Sequence, residues 1–363
     1  MRKKIVHIII GIVLLGIGIS LIKEYRIKEA MQLTQEDILE DHFYDQYEWI
    51  SDRFVRNSFT NEEQGVQDEE SIFASLNLLY MEYLLNDNNR IGFEKVVRFM
   101  QENLLTEEGL VGFGAHKDLD LGTMEVIEKT SLADNLKFYK LLTKAYLAWG
   151  EPYYSDLAEK IAEKIQLYNI KNGKFNLRHE GEVEHGEIEL YELDLKGLAL
   201  LAEDQMLQKD IYKQSKKILK NAYIHNELPL YYSSYDYINK VYIETERIDT
   251  LESLLIVKEL AENNGLKKGT VKWLKNQLKS GGIYEQYNTH TGIVTSHEER
   301  ISIYAVVAQI GKVEGDIELY TLAMEKMLKF QVKDSKSEFY GSFINKETGK
   351  ADCYENLQAL LAF

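Results

Sequence analysis

Cysteine is almost missing. Cys353 is the only one in 363 residues, which excludes an internal disulfide and a cysteine-based metal cage and leaves a small core residue as the expectation. Proline is nearly as scarce: Pro152 and Pro229 are both expected between elements, because a proline inside a helix removes a backbone donor and clashes with the preceding turn. Positive charge is in deficit. Forty-three Lys and Arg against 59 Asp and Glu leave a formal charge of −16, and such a surface repels the phosphates of nucleic acid. Whole chemistries lack their motifs as well. There is no His-Glu-x-x-His pair, no Gly-x-Ser-x-Gly elbow, no phosphate-binding loop and no dinucleotide signature. The eight histidines are scattered, and His179, His185 and His297 neighbour glutamates without completing a four-ligand set. No metal and no cofactor is implied.

What is present begins with an N-terminal apolar run. Arg2, Lys3 and Lys4 precede Ile5 to Ile22, interrupted only by His7 and Ser20. At about 1.5 Å per residue this approaches the thickness of a bilayer core. No small-x-small cleavage site follows, and the positive end favours the cytoplasmic side. Residues 1–29 are therefore expected to be a cytoplasmic stub and transmembrane signal anchor in the cell membrane, with residues 30–363 forming one extracellular domain.

Beyond the anchor, apolar residues at three- and four-residue spacing mark about twelve helical segments. They start near Gln35, Asp68, Ile91, Ser131, Ser155, Ile188, Lys209, Asp249, Gly269, Ser296, Asp316 and Asp352. Glycine- and aromatic-rich stretches read as extended connections: Gly109–Gly114, Gly173–Leu177, Leu228–Tyr232, Gly281–Tyr284 and Glu338–Ser342. The unit is helix, helix, extended loop. Repeated helix pairs either close into a toroid or stack as an open solenoid. Solenoid units are usually shorter and lack such connections, so the expected fold is all-α, an (α/α)6 barrel with short hairpin-like loops.

Several helix starts carry acids. Asp68-Glu69-Glu70 precedes one apolar stripe, and Ser131…Asp134, Asp249…Glu252, Ser296…Glu299 and Asp352…Glu355 share the spacing of a capping box. Each of the last four is satisfied by ordinary capping and by the helix dipole, a gain of about 0.3–1 kcal/mol. Glu70 stands apart, since Asp68 already supplies a cap, and crowded carboxylates raise the pKa of one member, as a general acid requires. Asp236 lies between Tyr235 and Tyr237 in an extended stretch, which suits either a sugar-facing carboxylate or a hairpin turn. The 24 tyrosines and 13 phenylalanines suit stacking on sugar rings and equally suit loop packing; Tyr231, Tyr232, Tyr235, Tyr284 and Tyr287 are open to both readings.

With anchor, helices and acids in place, the chain resembles glycoside hydrolase family 8, and within it the membrane-anchored exopolysaccharide hydrolases of Gram-positive bacteria. Glu69-Glu70-Ser-Ile-Phe-Ala-Ser-Leu is similar to the family's Ser-Glu-rich helix start. Ser131-Leu-Ala-Asp134-Asn-Leu, running on to Trp149-Gly150, looks like its Asp-rich helix. Tyr235-Asp236 through Asp249 covers the region of its catalytic base. The chain departs from the pattern at Ser71, Ala74 and Ser75, where the family has glycines, and in dividing the base motif between Asp236 and Asp249. The resemblance implies an endo-acting, inverting hydrolase of an extracellular polysaccharide, an exopolysaccharide or biofilm glycan. Glu70 would be the acid, Asp236 (favoured for its tyrosine context) or its rival Asp249 the base and Asp134 the sugar-binding carboxylate, with Tyr191, Tyr235, Tyr284 and Tyr287 contacting substrate. Two alternatives stand beside it. One is a polysaccharide-binding subunit of an exopolysaccharide synthesis or export machine. The other is a polysaccharide lyase on the same scaffold, which the acidic surface disfavours for a uronate polymer.

Overall fold

The computed structural model of the chain describes residues 58–60, 69–118, 123–171, 174–175, 178–179, 186–337 and 339–363. The expected helix at Gln35, the apolar run and the boundary at residue 30 lie outside these residues. Within them the periodic stretches fold into eleven α-helices. These are α1 (Ala74–Asn86), α2 (Arg90–Asn103), α3 (Leu132–Trp149), α4 (Pro152–Lys164), α5 (Leu195–Glu203) and α6 (Lys209–Asn221). They continue with α7 (Thr250–Glu262), α8 (Lys268–Ser280), α9 (Ile301–Glu314), α10 (Ile317–Met327) and α11 (Cys353–Ala362).

The odd-numbered helices form an inner ring. Contacts run from α1 to α3, on through α5, α7, α9 and α11, and back to α1. The ring closes, so the chain is an (α/α)6-type toroid and not an open solenoid. The even-numbered helices pack outside it: α2 on α1, α4 on α3, α6 on α5, α10 on α9, and α8 against α10. Burial follows position. In α9 every residue from Ile301 to Gly311 is enclosed, as a helix apolar all round requires. In α6 only Ile211, Ser215 and Leu219 are enclosed. Gly311 lets α10 approach closely, since a Cβ there would stand 2.8 Å from the Tyr320 backbone nitrogen.

Short antiparallel strands precede most of the inner helices. In chain order they are β1 (Ser58–Thr60), β2 (Glu69–Phe73), β3 (Gly112–Asp118), β4 (Met124–Ser131), β5 (Ile170–Lys171), β6 (Lys174–Phe175) and β7 (Arg178–His179). There follow β8 (Glu187–Glu189), β9 (Ser234–Asp236), β10 (Val241–Tyr242), β11 (Arg247–Asp249), β12 (Gln286–Asn288), β13 (Val294–Ser296) and β14 (Lys350–Asp352). The sheet β2-β3-β4-β7 brings the entries to α1 and α3 together, and β11-β12-β13 joins the entry to α7 with the approach to α9.

Four expected helix starts move. Glu69–Phe73 pairs along its whole length with β3, so α1 begins at Ala74 with no acid in its first turn. Gly114 permits that pairing, because a Cβ would meet the Ile72 carbonyl oxygen at 2.2 Å. Pro152 opens α4 at its first turn, where a missing N–H costs nothing, so this helix starts before Ser155. The stretch at Ile188 is β8 and a 3-10 turn over Leu190–Glu192, with α5 starting at Leu195. Ser296 ends β13, and α9 waits until Ile301.

The nine-residue α5 starts inside the ring. Asp194, its N-cap, accepts from Gly197 N at 2.7 Å and pairs with Lys140 of α3. Glu259 of α7 accepts from Leu195 N at 3.0 Å. Lys140 is the ninth residue of its helix and Glu259 the tenth of its own, so α5 begins about 12 Å below the neighbouring helix starts. Lys137–Glu82 (2.7 Å) and Lys258–Glu262 (3.0 Å) extend the charged axis. Here burial, then the nearby Asp194, push the Glu259 carboxyl up to about 8.

The stability consequence has a definite sign. The unfolded chain releases the Glu259 proton near the ordinary glutamate value of 4.5, whereas the folded chain holds it to about 8. Its contribution is therefore full below about pH 4.5, falls as pH rises through the interval and is lost above 8. Glu259→Gln is expected to remove that slope, so that variant and wild type diverge in denaturation midpoint between pH 5 and pH 8. Parallel curves across that range would show that Glu259 titrates normally.

Candidate active site

The entry ends of the inner helices form a mouth, and capping chemistry populates it with carboxylates. Ser131 Oγ accepts from Asp134 N (3.4 Å) at α3, Asp249 Oδ1 from Glu252 N (3.1 Å) at α7, and Asp352 Oδ1 from Glu355 N (3.1 Å) at α11. Three of the four capping-box spacings thus cap as expected. The fourth, Ser296…Glu299, does not: Arg300 precedes α9 and no side chain caps it.

Arg300 is the cation of this end of the mouth. Its Nε and Nη2 donate to Glu355 Oε1 at 3.1 and 2.9 Å, and Nη1 lies 3.9 Å from Glu285 Oε1. Glu355 is held in turn by the backbone N–H and hydroxyl of Ser302. Burial opposes the guanidinium charge, but Glu355, Asp249 and Glu285 together outweigh it and raise its pKa. Glu285, Glu298, Glu299, Arg300, Asp352 and Glu355 line a cleft of about 410 Å³. A second hollow of about 140 Å³ descends beside Tyr191 and Glu192 to Lys140, Asp194 and Glu259, into the space left by the sunken start of α5.

The sequence candidates separate here. Glu70 lies in β2 opposite Lys117 of β3, four residues before α1 at the mouth; its side chain lies outside the described part of the structure. Asp134 sits in the first turn of α3, where burial, only partly offset by Lys137, pushes its carboxyl up to about 6. Asp249 caps α7 and lies in the field of Arg300. In the same turn, burial, then the charge of Asp249, raise the pKa of Glu252. Tyr191 lies in the 3-10 turn and donates to Glu189 Oε2 at 2.8 Å. Tyr284 is half-buried with its ring 5.2 Å from that of His297.

Asp236 has the other of its two settings. Oδ1 accepts from Ile238 N (2.7 Å) and Asn239 N (3.0 Å), and Oδ2 accepts from Asn239 Nδ2 (2.6 Å). It closes the exposed turn between β9 and β10 and is an unsuitable base, because both oxygens are engaged and these bonds lower its pKa. Tyr235 and Tyr287 are core residues. Tyr235 packs against Tyr237 and Tyr242 at 5.4 and 5.1 Å, and Tyr287, 1% exposed, packs against Trp273. Neither offers an open ring face to a sugar. Tyr231 is also enclosed, and Tyr232 stacks on Tyr242. Cys353 is buried as expected, its thiol pushed up to about 12 by burial and by Asp352.

Sequence reasoning passed over Arg300, Glu285 and the Lys140–Asp194–Glu259 group. One signal was available for the last: Lys137 and Lys140 interrupt the apolar pattern of α3 three residues apart, which places both on one helix face.

Neither a protein-family model nor a curated protein matches the sequence. Solved structures do match. A novel alpha-amylase from Clostridium perfringens aligns with a TM-score of 0.78 at 28% identity, over 87% of this chain and 95% of that one. PssZ from Listeria monocytogenes aligns at 0.65 and 17% identity, over 87% and 94%. The family 8 glycosyl hydrolase Cel10, an endoglucanase from Klebsiella pneumoniae, aligns at 0.58 and 11% identity, over 87% and 97%. A cold-adapted family 8 xylanase aligns at 0.63 and 12% identity, over 91% and 92%. These structural neighbours include an alpha-amylase, an endoglucanase and a xylanase, and the chain has the fold of glycoside hydrolase family 8, the family its sequence resembles.

Proposed function

We propose that the chain is a glycoside hydrolase that works at this mouth by general acid–base catalysis. The observation that carries the reading is Asp249: a carboxylate capping an inner helix, in the field of Arg300, and paired in register with Gln286, the neighbour of the cleft residue Glu285. In this reading Asp249, and not Asp236, activates water. Glu70, entering α1 from β2, protonates the glycosidic oxygen. Asp134 holds the sugar between them, with Tyr191 and Tyr284 as its flanking contacts. Inversion requires the two catalytic carboxyl groups to stand roughly 6.5–9.5 Å apart, leaving room for the water.

The location and substrate extend the proposal. The apolar run at residues 5–22 tethers the domain to the outer face of the cell membrane, where an exopolysaccharide or biofilm glycan is the substrate and the machinery that makes it a neighbour. One observation favours a second substrate class: the 28% identical neighbour is described as an alpha-amylase, so α-linked glucan belongs in the test beside β-linked glycans.

The test is reducing-end release from native exopolysaccharide, β-glycans and starch by wild type, Glu70→Gln, Asp249→Asn and Asp236→Asn. The first two variants are expected to lose roughly 10²–10⁴-fold in kcat, and Asp236→Asn to remain active. A fully active Glu70→Gln, or loss in Asp236→Asn with Asp249→Asn unimpaired, would overturn the assignments. Binding without release by wild type would make the chain a binding subunit.

Asp134 gives an independent readout. Its carboxyl carbon is expected to titrate near pH 6 by carbon NMR, because burial disfavours the charged form. It would then be protonated, and a hydrogen-bond donor, below that pH. A midpoint near 4 would show the site to be open to water.

A further inference from the structure

The chain is acidic overall, yet two of its outer helices are basic. α6 carries Lys209, Lys213, Lys216, Lys217 and Lys220 against Asp210 alone, and α8 with its preceding residue carries Lys267, Lys268, Lys272, Lys275 and Lys279 and no acid. The spacing is regular. Lys209, Lys213, Lys216 and Lys220 stand at i, i+4, i+7 and i+11, and Lys268, Lys272, Lys275 and Lys279 repeat that pattern. Each helix therefore gathers its lysines into one lengthwise stripe. The buried residues Ile211, Ser215 and Leu219, and Thr270, Leu274 and Leu278, hold the opposite faces.

The stripes meet. Lys267 Nζ lies 3.3 Å from the ring centre of Tyr223, just past the end of α6, and the stem of Lys220 lies beside Gly265. Each helix of thirteen residues carries its stripe for about 20 Å along the barrel wall. Lys213 pairs with Asp210, while Lys275 and Lys279 pair with Asp316 and Glu318. Among the described residues, Lys209, Lys216, Lys217, Lys220, Lys268 and Lys272 form no ion pair. Like charges at i, i+4 destabilise a helix, so helix stability does not explain the pattern. Between Lys267, Lys268, Lys272 and Lys275 the surface sinks into a groove of about 330 Å³, which Glu314 and Asp316 also line.

We propose that this band docks the barrel on its side against an anionic lipid bilayer, with the mouth opening along the membrane surface. The inference rests on the proposed membrane tether, which would hold the band within reach of lipid headgroups. Near an anionic surface each lysine strengthens partition roughly fivefold, within a Debye length of the surface.

The experiment uses the full chain with vesicles of phosphatidylcholine alone or of an equimolar mixture with phosphatidylglycerol. Two quantities are read: flotation, and the acetylation rate of each lysine by mass spectrometry. Flotation with both vesicle types tests the tether; it fails if the chain stays in solution with phosphatidylcholine. Acetylation tests the band. Lys209, Lys216, Lys220, Lys268 and Lys272 are expected to be slowed at least severalfold on the mixed vesicles only, with the protection lost in high salt. The combined substitution of Lys209→Gln, Lys216→Gln and Lys220→Gln is expected to abolish protection of Lys268 and Lys272 while leaving hydrolysis of a soluble glycan unchanged. Equal labelling on the two vesicle types would overturn the inference. Protection by soluble polyphosphate but not by mixed vesicles would also overturn it, and would assign the band to an anionic polymer.

Discussion

A helix that starts inside a protein must find partners for backbone N–H groups that water would otherwise satisfy. The start of α5 has this problem, and its solution shapes the barrel. Asp194 and Glu259 supply the acceptors for Gly197 and Leu195. Two carboxylates so close would repel, so Glu259 keeps its proton up to about pH 8, and Lys140 of α3 pairs with Asp194 and keeps that carboxylate charged. Buried ions of this kind are tolerated only when paired and hydrogen-bonded, so the three groups depend on one another. Their arrangement leaves a hollow inside the ring, lined also by Glu82 of α1, Gln309 of α9 and Gln358 of α11. At α9, Gly311 lets the outer helix α10 approach closely.

The mouth's chemistry follows from how the ring is entered. A helix start carries positive partial charge and free N–H groups, and most of the inner helices are entered from a strand or turn at this end. Acids at Asp134, Asp249, Glu252, Asp352 and Glu355 are stabilised there for structural reasons before any catalytic role is considered. What differs is their surroundings. Asp249 shares the field of Arg300, whereas Glu252, one turn inside it, meets burial and the charge of Asp249. Neighbouring carboxyl groups in unlike environments are the usual basis for dividing acid and base roles.

Local pattern made the helix pairs legible, and the caps at Ser131, Asp249 and Asp352 could be read from two or three residues each. The failures share a cause in distant partners. Glu69–Phe73 looks like a helix start until β3, some forty residues on, pairs with it through the gap at Gly114. Ser296…Glu299 has the spacing of a cap, but Ser296 is drawn into a hairpin with β12. Asp236 is favoured as the base by its flanking tyrosines, although its turn partners, Ile238 and Asn239, lie close to it in the chain. Tyr235 and Tyr287 needed tertiary packing to be told from binding aromatics. Arg300 gave no signal, since its partners Glu285 and Glu355 lie 15 and 55 residues away.

Charge is also divided between surfaces, and this bears on what can enter. Glu285, Glu298, Glu299, Asp352 and Glu355 face the cleft with Arg300 as the opposing cation, and that arginine is already bonded to Glu355. The lysines of α6 and α8 lie on the outer wall. A neutral glycan meets hydrogen-bond acceptors in the cleft without electrostatic penalty, and an amine-bearing one is attracted. A uronate polymer brings carboxylates against carboxylates at short range, where a partly enclosed site screens them poorly. The carboxylates lining the cleft therefore suit neutral sugars and work against eliminative cleavage of acidic ones.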